Sequence, residues 1–74
     1  MQYYTGREIR IGDQVLSEYG KVPGVVVHII ETDSDVQLWQ LQEPGVMIEG
    51  PVFGWLFVPT SMLDSQYLEF VANG

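Results

Sequence analysis

The sequence predicts an all-β fold: one small domain of five short strands rolled into a partly open barrel. Three observations carry that expectation. Glycines and prolines punctuate the 74 residues at short intervals, and the apolar residues between them are rich in Val, Ile, Phe and Trp, a strand pattern. No segment is long and periodic enough to read as an extended amphipathic helix. One brief helix-like segment stands just before the last strand.

Element by element, Tyr3 and Tyr4 form an extended lead-in that turns at Thr5-Gly6, and Ile9 and Ile11 alternate with Glu8 and Arg10. Residues 13–18 make the first full strand and 19–24 the connecting loop. Pro23 falls in that loop because it lacks the amide a central strand needs. Residues 25–31 make the second strand, 32–36 a polar tip, and 37–41 a short strand or irregular segment. Glu43-Pro44-Gly45 turns the chain into a third strand over 46–49, and 50–54 reverses it into a fourth over 55–58. Residues 60–64 make one helical turn, with a hydroxyl available to cap its first amides. Residues 67–71 alternate as the fifth strand, Leu68 and Phe70 facing inward. Five strands with one helical turn before the last match a small SH3-like barrel; an OB-like barrel would need a longer helix between its third and fourth strands.

A face count adds a constraint. Residues 25–30 have only His28 as a polar member, and 55–58 have none. A single barrel interior cannot bury both faces of such strands, so the N-terminal segment, the Trp39 region or another chain must cover the outer one. The alternative to self-coverage is a homodimer or partner interface.

Composition narrows the function. Ten acidic side chains against Arg7, Arg10 and Lys21 give a net charge of −7. Nucleic-acid binding requires lysines and arginines that displace phosphate counterions, so neither nucleic acid nor an anionic membrane is the expected partner. The field favours a basic protein partner instead, the alternative being acidity that serves solubility alone. No cysteine is present, which leaves no disulfide framework and no thiolate zinc site. No apolar stretch approaches the roughly 20 residues needed to span a bilayer, and no basic region precedes an apolar run at the N-terminus. A soluble, cytoplasmic protein is the expectation.

Catalytic motifs are missing. His28, the sole histidine, is placed on one strand face with Val26 and Ile30, and no serine sits in a G-x-S-x-G elbow. Asp33 and Asp35 beside Glu31 lack the further ligands and closing glutamate of a calcium loop. The glycines form neither of the phosphate-cradling patterns. The chain is therefore expected to be no enzyme and to carry no cofactor or metal. Trp55 is expected in the core, whereas Trp39, among Gln37, Gln40 and Gln42, divides between packing and exposure.

Tyr4-Thr5-Gly6-Arg7, Ile9, Gly12-Asp13-x-Val15, Gly24-x-Val26-Val27, residues 45–49 and Phe53-Gly54 together resemble a group of small, acidic, SH3-barrel-like bacterial proteins. Most have no assigned function, and some look like immunity partners of secreted toxins. The resemblance spans nearly the whole chain, rests on turn glycines and strand residues, and implies no catalytic residue. It implies a non-enzymatic protein-binding module that masks the basic active site of a toxin; a self-associating structural module is the alternative. The expected contacts are Glu31, Asp33, Asp35, Glu43 and Glu49, with Trp39 as an aromatic anchor.

Overall fold

The computed structural model describes residues 1–63 and 65–74. Five strands form one antiparallel sheet: β1 (Gln14–Ser17), β2 (Val22–Ile30), β3 (Gly45–Gly50), β4 (Gly54–Pro59) and β5 (Glu69–Ala72). Helix α1 (Asp33–Leu38) joins β2 to β3, and α2 (Thr60–Leu63) joins β4 to β5. The strand order is β4-β3-β2-β1-β5, so β4 and β5 are the two edges of an open sheet. The expected helical turn before the last strand is α2; Asp64, which the sequence reading included in it, lies outside the described residues.

The concave face holds the core. Val15, Val26, Val46, Ile48 and Val58 point inward from β1 to β4, and Tyr3, Ile9, Leu63 and Leu68 close over them. Leu68 is buried and Phe70 packs against this cluster, the inward placement expected for both, but β5 starts at Glu69 rather than at residue 67, so Leu68 enters the core from the turn ahead of the strand. The lead-in is fastened by a buried carboxylate. Tyr3 Oη donates to Asp13 Oδ2 at 2.7 Å, and the Arg10 amide donates to the same oxygen at 2.9 Å. Gly12, at φ 94°, makes the corner that turns Asp13 inward, and the Gly12 amide donates to the Val26 carbonyl.

Two expectations change. First, β2 begins at Val22 and runs through Pro23, which pairs with Leu16 of β1. Pairing of β2 with β3 starts only at Val25, so Pro23 lies where that side of the strand has no neighbour needing its amide. Second, the polar tip and the segment after it are helical. Thr32 Oγ1 accepts from the Asp35 amide at 3.1 Å as the N-cap of α1, and Asp33 and Asp35 occupy the first turn, where the helix dipole favours carboxylates. The helix ends in a Schellman motif: the Leu41 amide donates to the Val36 carbonyl and the Gln40 amide to the Gln37 carbonyl. Gln40 supplies the left-handed residue at φ 56°, a position glycine occupies more cheaply.

Close approach rather than backbone angle fixes Gly45. A Cβ there would collide with the Val58 carbonyl of β4 and with the Phe57 ring. Gly45→Ala is expected to lower unfolding free energy by about 1–3 kcal/mol, because a strand backbone must shift to admit the methyl group. Gln40→Gly is expected to raise it by about 1 kcal/mol by relieving the left-handed conformation. Urea unfolding followed by tryptophan fluorescence measures both, and the two variants should move the midpoint in opposite directions.

Candidate binding surface

Strand β2 carries apolar residues on both faces, and a bulge decides how they are shared. Val26 pairs with Ile48, but His28 pairs with Met47, so register shifts across Val27. Ile48 and Met47 are consecutive on β3 and point to opposite faces. His28 therefore leaves the face of Val26, contrary to the placement expected from simple alternation, and joins Ile30 on the convex side. There Ile30 and Met47 are buried, and Phe57 lies against Gly45 in the next register position.

Helix α1 and the residue after it supply part of the convex cover. Trp39, the C-cap of α1, sets its ring 4.9 Å from the His28 imidazole. Trp55 of β4 lies 5.6 Å from the same imidazole and 6.2 Å from Trp39, with the indoles inclined at 27°. These separations fall in the range of favourable aromatic pairs. Trp39 is half-buried, but Trp55 is 52% exposed, so its expected core position is corrected. The reason is parity on β4: Leu56 and Val58 face the core, which sends Trp55 and Phe57 outward.

Beyond the indoles the convex face is open. Strand register aligns Trp55, Glu49, Val25 and Gln14 across β4, β3, β2 and β1. Next to this row lies a shallow apolar groove of about 280 Å³, lined by Leu16, Pro23, Val25, Pro51 and Val71. Glu49 is its only charged lining residue among the described residues.

The expected contact residues fall into separate environments. Glu49 is exposed and pairs across the strands with Trp55, whose indole also neighbours that of Trp39. Asp33 and Asp35 sit at the opposite end of α1 from Trp39, a helix length of about 9 Å away. Glu31 is exposed at the end of β2 and acts electrostatically on the Met1 amino group. Glu43 is turned inward to α2: its Oε1 accepts from Thr60 Oγ1 and from the Ser61 amide, each at 3.0 Å. The Ser61 amide, followed by the Thr60 hydroxyl, holds the Glu43 carboxyl below the usual glutamate range. Thr60 thus donates its hydroxyl to Glu43, and the cap of α2 comes from Glu43 rather than from a local hydroxyl.

Charge on this surface is poorly neutralised. Among the described residues one ion pair exists, between the Met1 amino group and Glu8. Glu31, Asp33, Asp35 and Glu49 take part in no ion pair there. The His28 ring is flanked by two indoles, and among the described residues no cluster of three metal-ligating side chains converges. No helix among them is long and apolar enough to cross a membrane. Comparison with known proteins yields no match, whether to a family model, a curated protein or a solved structure.

The Tyr3–Asp13 contact that anchors the lead-in also sets a pH response. Burial, followed by the hydrogen bond to Asp13, raises the Tyr3 hydroxyl above its ordinary value near 10. A raised acid stabilises the fold fully below the unfolded value and loses that stabilisation as pH climbs past it. Stability is therefore expected to decline above about pH 10. Tyr3→Phe is expected to decline less steeply there and to be about 1–3 kcal/mol less stable at neutral pH, through loss of a partner to buried Asp13. Tyr67, raised mainly by burial, keeps a smaller alkaline response in the variant. Urea midpoints from pH 7 to 11 measure the difference.

Proposed function

We propose that the protein is a non-catalytic binding module for a basic protein and, following the resemblance of its sequence, an immunity-type inhibitor that covers the basic active site of a bacterial toxin. One observation carries this reading. A half-exposed tryptophan stands beside a second indole on a surface whose carboxylates lack internal cations. Exposed aromatics set in a surface supply the slow-dissociating anchors of protein interfaces, and unpaired like charges steer an oppositely charged partner toward them. The meander order β4-β3-β2-β1-β5, with a helical turn ahead of β5, supports the SH3-like form of the fold.

Inhibition in this scheme is occlusion. Asp33 and Asp35 at the start of α1, with Glu31 and Glu49, meet basic residues that a nuclease-type active site holds for its substrate. Trp55 and Trp39 then exclude water from the centre of the contact. Glu43 contributes less, because one of its oxygens is committed to α2.

The open groove beside Glu49 favours one other reading, a module that pairs with its own copy. Mass measurement in solution separates the two, since an inhibitor of this kind is expected as a free monomer. Co-expression with a secreted toxin encoded in a neighbouring reading frame is expected to give co-purification and protection of the cells. The association rate of that pair should fall about tenfold or more between low and high salt. A pair that neither co-purifies nor protects overturns the inhibitor reading.

A further inference from the structure

The convex face carries more detail than negative charge. Trp55, Glu49 and Val25 are consecutive across three strands, and the apolar groove continues from Val25 to Leu16, Pro23 and Val71. An exposed carboxylate is thus walled by an indole on one side and by aliphatic surface on the other. Residues directly paired across antiparallel strands hold their Cβ atoms about 5 Å apart, so one ligand group can touch both Glu49 and Trp55.

We infer that Glu49 and Trp55 form a receptor for an arginine side chain, and that the adjoining groove takes the aliphatic residues flanking that arginine in a partner protein. The inference rests on the basic-partner reading above and names the group recognised. A guanidinium meets both walls at once: it pairs with a carboxylate through parallel N–H groups and stacks its plane on an indole. An ammonium is compact and strongly hydrated, so lysine satisfies the carboxylate but gives up the stacking. The aromatic half of this contact occurs within the protein itself, where the Arg7 guanidinium lies 3.9 Å from the centre of the Phe70 ring. That engagement, with a hydrogen bond from Arg7 to Asn73, also argues against Arg7 of a second copy as the occupant. Charge complementarity points the same way, because a chain of net charge −7 repels its own copy.

The whole chain, labelled with ¹⁵N, provides the test. Its two tryptophans give two indole N–H resonances, one of them at the proposed site. The probe is the capped tripeptide Val-Arg-Val, with versions carrying citrulline or lysine in place of arginine. The arginine peptide is expected to shift the Trp55 indole resonance saturably and more than that of Trp39. Citrulline, which is neutral and nearly isosteric, should bind about tenfold more weakly or worse, and lysine should fall between them. Glu49→Gln, an exposed and conservative change, should weaken the arginine peptide by a similar factor while leaving the rest of the spectrum in place. Trp55→Leu should do the same, read from the backbone amides of β3 and β4.

Equal binding of the citrulline peptide, an unchanged affinity in Glu49→Gln, or no saturable shift at about 20 mM peptide overturns the proposal. A Trp55 resonance that depends on protein concentration without peptide also overturns it, because a second copy then occupies the face. The arginine receptor and the basic-partner reading fail separately. If a basic partner binds the wild type and Glu49→Gln equally, the receptor is wrong and the partner reading stands. If the peptide behaves as expected and no basic protein co-purifies, the receptor stands and the inhibitor reading falls.

Discussion

A strand that is apolar on both faces is the constraint on which the rest of this structure depends. Residues 25–30 of β2 present six side chains, of which only His28 is polar, and a five-stranded sheet has one enclosed side. The bulge at Val27 divides them, with Val26 and Ile29 directed to the core and His28 and Ile30 to the convex face. Burying a side chain such as Ile30 is worth about 1.5–3 kcal/mol, so the convex face has to be covered by something. Trp39, delivered by α1, takes that place over His28 while Phe57 closes over Gly45. Coverage stops before Trp55, Val25 and Leu16, and the surface left bare there is the surface proposed to bind.

The short helix matters out of proportion to its length. Six residues of helix are marginal on their own, since nucleation is costly and few hydrogen bonds follow. Here both ends are closed, by the Thr32 hydroxyl at the start and by the Gln40 and Leu41 amides at the finish. Its acidic first turn serves two purposes. Asp33 and Asp35 favour the helix start electrostatically, and they project negative charge about one helix length from the indoles. Under the proposed function the same carboxylates would supply both local stability and long-range attraction, in contrast to Glu43, which caps α2.

The strand skeleton was legible because turn residues and β-branched runs are local signals. The third and fourth strands lie within a residue of their expected bounds, and the helical turn after Pro59 begins at Thr60 as expected. Helix α1 was also encoded locally. Thr32 followed three residues later by Asp35, then Val36 and Trp39 at helical spacing, is a capping pattern ahead of an apolar pair, hidden by the polar composition of the segment. The bulge at Val27 was not legible, because alternation over six nearly uniform apolar residues carries no register of its own. Burial of Asp13 under Tyr3 and capping of α2 by Glu43 depend on contacts 10 and 17 residues apart, which local patterns do not record. Exposure of Trp55 followed from parity with Leu56 and Val58, but only once one face of β4 was known to be the core.

Nuclear Overhauser contacts on the convex face test the central claim most directly, namely that the Trp39 region covers β2 while Trp55 remains at the margin of that cover. The account predicts cross-peaks from the Trp39 indole to the His28 ring and to Trp55, in a monomer and without any ligand. A Trp39 indole that shows no contact with His28 would contradict it, because the convex face of β2 would then have no cover of the chain's own.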